Sequence, residues 1–269
     1  VFQDSRWARA FLLNFFKIRL SYQGSGYKGW QVQPHDKTVQ GELNKSLEQM
    51  LKLEFRTLGS GRTDAGVHAL AQIVRLETKS SISSVALFKG LNSLLPPDIR
   101  VLDVHETTSD FHPIFSAKSK EYWYLFSLTS GQSPFEAPLI TRIKGDFDPD
   151  KAQELCDLFI GQHNFSHYFC VGTDTETTVR EIYECEIVKI ERDGHWSHLS
   201  LSGPYYYLRI RGNGFLKQMV RLIAGTVFKY ARGQLELDDV KSSLRDQGRA
   251  HMAPVAPPQG LYLAEVFYE

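Results

Sequence analysis

GSGRTDAGVHA, residues 59–69, sets three glycines and a Thr63-Asp64 pair between two stretches that read as strands. Glycine permits tight backbone turns, and short polar side chains hydrogen-bond their own backbone, so such a loop can hold a carboxylate at a fixed angle in a cleft. Taken alone, Asp64 would be a solvated turn residue. Arg62, two positions earlier, adds a partner for a phosphate or a base.

Upstream, residues 13–22 alternate toward a strand. From Thr38 the apolar residues Val39, Leu43, Leu47 and Leu51 recur every four positions, which predicts a helix with Thr38 as its N-cap. Between them, GSGYKG at 24–29 matches GxGxxG. A dinucleotide site needs a helix to begin within that glycine turn, whereas Trp30 to Pro34 intervene here. The segment is therefore read as a flexible strand-end loop with Tyr27 and Trp30 exposed. Downstream, AQIVRLET (71–78) predicts a strand, residues 84–95 a helix stopped by Pro96-Pro97, and Ile99–Val104 another strand.

The second half repeats the plan. A strand through Glu121–Leu128 precedes a helix with Asp148 as N-cap, Pro149 at its first position and Gly161 beyond its end. Strands at about 180–191 and 196–211 flank Asp193-Gly194, a favoured hairpin turn. Helices follow from Phe215 to Tyr230 and over 237–247, and LYLAEVFY closes as a strand. The expected fold is α+β: two similar α/β sandwich halves, 1–113 and 114–269, forming a continuous, mostly antiparallel sheet with helices on one side and a catalytic cleft on the other.

The 269 residues, 42% hydrophobic and 23% charged, have the composition of an ordinary globular protein. Cys156, Cys170 and Cys185 match neither a disulfide framework nor a CxxC knuckle, so a reducing, cytoplasmic setting is expected. AFLLNFF (10–16) is short, carries Asn14 and runs into Lys17 and Arg19, which makes it the lead into a strand. No run approaches the ~20 apolar residues of a membrane span. Nine histidines show no ligand spacing, and no metal or cofactor is expected. His68 and His112 read as hydrogen-bonded structural residues.

Acids and bases balance at 31 each, which argues against indiscriminate nucleic-acid binding. Their distribution is uneven. Residues 5–35 carry Arg6, Arg9, Lys17, Arg19 and Lys28 without a carboxylate, and residues 194–235 carry Arg209, Arg211, Lys217, Arg221, Lys229 and Arg232 without one. Side by side, these segments would make a stripe suited to a phosphate backbone.

The loop at 59–69, with GYKGWQ before it and FHPIFSA, EYWY, NGFLKQMVR and PPQGLYL after it, closely resembles the TruA family of tRNA pseudouridine synthases. The resemblance runs in order from about Lys17 to the C-terminus. GRTDAGVHA is specific by itself, and MVRLIAG (219–225) with GLYL (260–263) reinforces it. It implies an enzyme that breaks the N-glycosidic bond of a uridine, turns the base, and rejoins it through C5 to the same sugar carbon, with no atoms gained or lost.

The same resemblance implies roles. Asp64 becomes the catalytic carboxylate, either attacking C1′ or removing a sugar proton to give a glycal. Arg221 becomes its basic partner, since a guanidinium at contact distance favours an ionised carboxylate. Tyr122 is the tyrosine that stacks on the flipped uracil and assists proton removal from C5; Tyr124, two residues on, should share its face, so one of the two has a core role. Leu261 packs against the base pocket, and Arg62 enters the gap left by the extruded uridine. The implied substrate is tRNA at uridines 38–40 of the anticodon arm, and the implied assembly a homodimer.

The chain departs from the family where arginine is usual: Val32, Ile114 and the neighbourhood of Phe169. Fewer phosphate partners would weaken RNA binding and flatten its salt dependence, and a paralogue acting on another RNA is the alternative to the anticodon arm. Two readings of other classes compete. One is an inactive RNA-binding or tRNA-folding paralogue, which would have no need of Asp64, Tyr122 and Arg221 together. The other is a glycoside or nucleoside hydrolase, which pairs two carboxylates, and no partner acid stands in a matching motif.

Overall fold

The computed structural model describes residues 13–128, 133–170, 175–190, 204–245, 248 and 250–269. Ten strands form one sheet. In chain order they are β1 (Asn14–Tyr22), β2 (Phe55–Gly59), β3 (His68–Thr78), β4 (Ile99–Thr107), β5 (Ser119–Ser127), β6 (Thr141–Arg142), β7 (Gly161–Asn164), β8 (Val179–Lys189), β9 (Tyr205–Gly212) and β10 (Leu261–Phe267). The spatial order is β4-β1-β3-β10-β5-β9-β8-β7, with β2 on β3 and β6 on β5. Only β10–β3 and β5–β6 are parallel. The continuous, mostly antiparallel α+β sheet is thus as expected.

Five helices accompany it: α1 (Val39–Leu51), α2 (Ser84–Leu94), α3 (Pro149–Phe159), α4 (Met219–Ala231) and α5 (Leu237–Ser243). Their ends follow from local chemistry. The Thr38 hydroxyl accepts the Gly41 N–H, Ser83 accepts that of Ala86, and the Asp148 carboxylate accepts those of Asp150 and Lys151, satisfying donors with no intrahelical partner. Gly161, at φ +104, turns the chain after α3. None of the helices is long and apolar enough to cross a membrane.

Two differences are local. α4 starts at Met219 rather than Phe215, because Gln218 adopts a left-handed conformation (φ 61) that puts 215–218 out of phase with the helix. Phe215 therefore turns its ring to the sheet instead of extending the helix stripe. The hairpin pairs β8 with β9 as read, while the Asp193-Gly194 turn and residues 196–203 lie outside the described residues.

One buried cluster joins Phe16, Ile18 and Leu20 of β1 to Leu43 and Leu47 of α1 and Leu87 and Leu91 of α2. A second joins Tyr124, Phe126 and Leu208 to Leu155 and Phe159 of α3 and Ile223 and Val227 of α4. Tyr122 packs against both. Register shows that they lie on one face: Leu263 of β10 stands beside Ala69 on β3 and opposite Tyr122 on β5, and all three side chains join those clusters.

The other face is polar. Arg209 pairs with Glu121, Glu184 and Glu186 at 2.9–3.0 Å, and Arg211 with Glu184 at 3.2 Å. Strand β9 is separated from β1 by β3, β10 and β5. Lys17 and Arg19 on β1 therefore do not stand beside Arg209 and Arg211 on β9, whose charges are met by glutamates, so these two strands form no joint phosphate-binding stripe; Arg6 and Arg9 lie outside the described residues.

Several buried tyrosines make the fold sensitive to base. Tyr22, Tyr124 and Tyr168 are 0–4% exposed, and burial pushes each phenol above its ordinary range. A group whose folded pKa is raised stabilises the fold below its unfolded pKa of about 10, and loses that contribution as pH rises toward the folded value. Thermal melts should hold between pH 8 and 9 and fall steeply from pH 10 to 11, each such phenol costing up to about 1.4 kcal/mol per pH unit. A melting temperature unchanged at pH 11 would contradict this burial.

Candidate active site

The Ser60–Val67 segment leaves β2 and returns to the chain at β3. It is held from beneath by GSGYKG, the loop read as flexible. Trp30 N–H donates to the Thr63 carbonyl at 3.1 Å and Gly66 N–H to that of Tyr27 at 3.2 Å. Tyr27 and Trp30 are 3% and 1% exposed, so the expectation of exposure is overturned: the two rings are core that the loop packs upon. Gly29 has φ +93, and a Cβ there would stand 2.5 Å from the Thr63 carbonyl oxygen. Only glycine lets the two loops approach so closely.

Asp64 accepts a hydrogen bond on Oδ2 from a terminal nitrogen of Arg221, at 3.0 Å. The arginine side chain is 11% exposed and the aspartate 26%, so the pair sits largely away from water. Arg221 is itself held. Its Nε donates to the Ala256 carbonyl at 2.7 Å, and its own carbonyl accepts the Ala256 N–H at 3.1 Å. Gly225 explains how residues 253–256 come near enough, since a Cβ there would lie 2.2 Å from the Pro254 carbonyl oxygen. With Oδ2 occupied, Oδ1 accepts no hydrogen bond among the described residues.

Tyr122 sets its ring edge-on to Phe215, with centroids 5.1 Å apart, and its hydroxyl is 4.0 Å from where a Cβ on Gly61 would be. Burial, and then the Asp64 charge, push its phenol well above the ordinary range. Tyr124 is the core member of the pair: it is fully buried, and its hydroxyl donates to the Pro257 carbonyl. Because Tyr122 shares its face, the site opens on the helical face of the sheet, between the cluster of α1 and α2 and that of α3 and α4. The cleft had been expected on the face opposite the helices; strand alternation puts it here instead.

The remaining residues divide. Leu261, 6% exposed, lies opposite Tyr124 and in the same cluster as Val67 and Val220, closing the site on its β10 side. Arg62 is exposed and makes no ion pair or hydrogen bond among the described residues. Val32 and Ile114 face solvent at 47% and 41% exposure, whereas Phe169 packs against the second cluster. His68 is structural as read: its Nδ1 accepts the Gly24 N–H, its Nε2 donates to the Gln259 carbonyl, and its ring stacks on Tyr262.

Two residues escaped the sequence reading. Gln72, fully buried, accepts the Ser60 hydroxyl and donates to the Gly61 carbonyl at 2.9 Å. Lys120 donates to the Ser60 carbonyl at 2.7 Å. The available signal was period-two alternation, which puts Lys120 on the face of Tyr122.

The family model described as tRNA pseudouridine synthase matches residues 20–116 and 155–269. Among curated relatives, "tRNA pseudouridine synthase A" of Geobacter sp. (strain M21) is 38% identical over 253 residues, covering 94% of this chain and 98% of that one. The protein of the same description from Bacillus pumilus (strain SAFR-032) is 39% identical over 255 residues, with the same coverage. The solved "Structure of H/ACA RNP bound to a substrate RNA containing 2'-deoxyuridine" aligns with 80% of this chain and 52% of its own at 12% identity and a TM-score of 0.33, too distant to bear on the fold.

The contact between the two loops can be measured by substitution. Gly29→Ala meets both a positive φ and a backbone oxygen, whereas Gly233→Ala meets a positive φ (+68) with nothing within 4 Å. Gly29→Ala should lower stability by at least about 1–2 kcal/mol more than Gly233→Ala in urea unfolding. Equal losses would mean that the loops do not touch.

Proposed function

This chain belongs to the tRNA pseudouridine synthase family and isomerises uridine to pseudouridine in tRNA, and from that premise we propose that Asp64 is its catalytic carboxylate, acting on the anticodon arm at positions 38–40. The observation that carries this reading is the Asp64–Arg221 pair, which fixes one carboxylate oxygen and leaves the other for the sugar. Over the reaction the N1–C1′ bond breaks, a C5–C1′ bond forms, C5 loses a proton and N1 gains one. Whether Oδ1 attacks C1′ or takes a proton from the sugar, it must be oriented before the uridine arrives, and a guanidinium whose Nε is anchored on the Ala256 carbonyl does that.

Tyr122 stacks on the extruded uracil. In the free enzyme burial, and then the Asp64 charge, hold its proton, so it meets the uracil as a neutral phenol, and it assists the loss of the C5 proton after the C5–C1′ bond has formed. Leu261 supplies apolar contact to the base, and the exposed Arg62 reaches into the vacated stack, offsetting an extrusion that costs about a few kcal/mol.

The sheet face that carries no helix among the described residues supports a homodimer, and three free thiols support a cytoplasmic setting. A second reading, the same chemistry on another RNA, is favoured by solvent-facing Val32 and Ile114 at positions where relatives would offer arginine.

The wild-type protein should release tritium from C5-labelled uridine in transcribed tRNA, and Asp64→Asn should abolish release while leaving the melting temperature near wild type. Silence of the wild type on tRNA and on total RNA would overturn the catalytic assignment. Arg221→Ala should slow the reaction by about two orders of magnitude and change tRNA affinity only a few-fold; equal losses in both would make Arg221 a phosphate contact.

A further inference from the structure

Lys120 stands two residues before Tyr122 on β5 and extends along the same face of the sheet. Its ammonium donates to the Ser60 carbonyl at 2.7 Å and comes within 3.7 Å of the place a Cβ on Gly61 would take; the Tyr122 hydroxyl lies 4.0 Å from that place. Lysine, tyrosine and the start of the Asp64 loop therefore meet around Gly61. Among the described residues Lys120 has no carboxylate partner, and burial pushes it below the usual lysine range. A methionine would fill the same channel without the desolvation of an ammonium, so packing does not account for a lysine here.

What the donor does follows from where the other supports originate. Gln72 and Tyr22, which hold the Ser60 hydroxyl, the Gly61 carbonyl and the Thr63 hydroxyl, belong to β3 and β1. Arg221 reaches Asp64 from α4. Among the described residues, the Lys120–Ser60 contact is the one hydrogen bond that ties the loop to β5, the strand of Tyr122. It links the loop bearing the carboxylate directly to the strand of the ring that receives the base.

We propose that Lys120 is a positioning residue for the isomerisation: by holding the Ser60–Gly61 backbone to β5 it keeps the Asp64 carboxylate and the Tyr122 ring on either side of a single uridine. The inference rests on the catalytic reading of Asp64 given above. Lys120 itself touches no reacting atom. Its removal should therefore impair the chemical step and spare RNA binding, because a displacement of about 1 Å at a reacting centre can cost about 100-fold in rate.

The test uses the full-length protein and transcribed tRNA, with single-turnover tritium release and a separate binding measurement. Lys120→Met keeps the stem and loses the donor; its rate should fall about 100-fold, with tRNA affinity within about twofold of wild type. Lys120→Arg keeps a donor and should recover most of the rate. A Lys120→Met enzyme at wild-type rate overturns the proposal, and so does a rate loss matched by an equal loss of affinity, which would make the lysine a phosphate contact. Should the methionine variant fail to fold, the arginine variant decides: a retained rate supports the proposal, and a loss as deep as that of Asp64→Asn in a folded protein sinks it. An inactive wild type would instead fail the catalytic reading itself.

Discussion

An ion pair between residues 157 positions apart, Asp64 and Arg221, is the contact on which the site depends. Neither partner is positioned by the pair alone. The carboxylate is set by a loop pressed onto Gly29 and Trp30, and the guanidinium by the hydrogen bond from its Nε to the Ala256 carbonyl. Charge removed from water is costly unless its geometry is fixed. The glycines at 29 and 225 achieve that fixation by letting backbone approach backbone where any side chain would intrude.

The two halves of the sheet are held to each other by a crossing of cores. Val67, at the end of the Asp64 loop, packs in the cluster of α3 and α4, while Leu263 and Val266 of β10 pack in that of α1 and α2. The site occupies the line between the clusters, where Tyr122 touches both. Shifting one half against the other would therefore move the carboxylate relative to the ring, and the mixed core resists it because close-packed interiors switch rather than deform smoothly.

Much of this was legible in the sequence. The helix starts at Thr38 and Asp148 follow from capping chemistry, and the strands from alternation, because both are local. Short β6 and β7 carried too little pattern to read. Gln218 misled the start of α4, since its left-handed backbone has no signature in a polar side chain. Tyr27 and Trp30 were misplaced because exposure was inferred from a glycine-rich loop, whereas the glycines are there to let another loop lie on top. The family resemblance brought Asp64, Tyr122 and Arg221 together; no periodicity could have, because their meeting is tertiary. Lys120 and Gln72 stayed hidden for the same reason.

Strand β10 lies between β3 and β5, beside a strand almost two hundred residues earlier in the chain. During synthesis the N-terminal strands emerge long before their neighbour exists. Until residues 261–267 leave the ribosome, β5 presents an unpaired border along residues 119–124, and β3, already paired with β2 further along, a shorter one at residues 68–69, templates for association between nascent molecules. Late closure of the sheet thus leaves the newly made chain more open to association than the finished molecule.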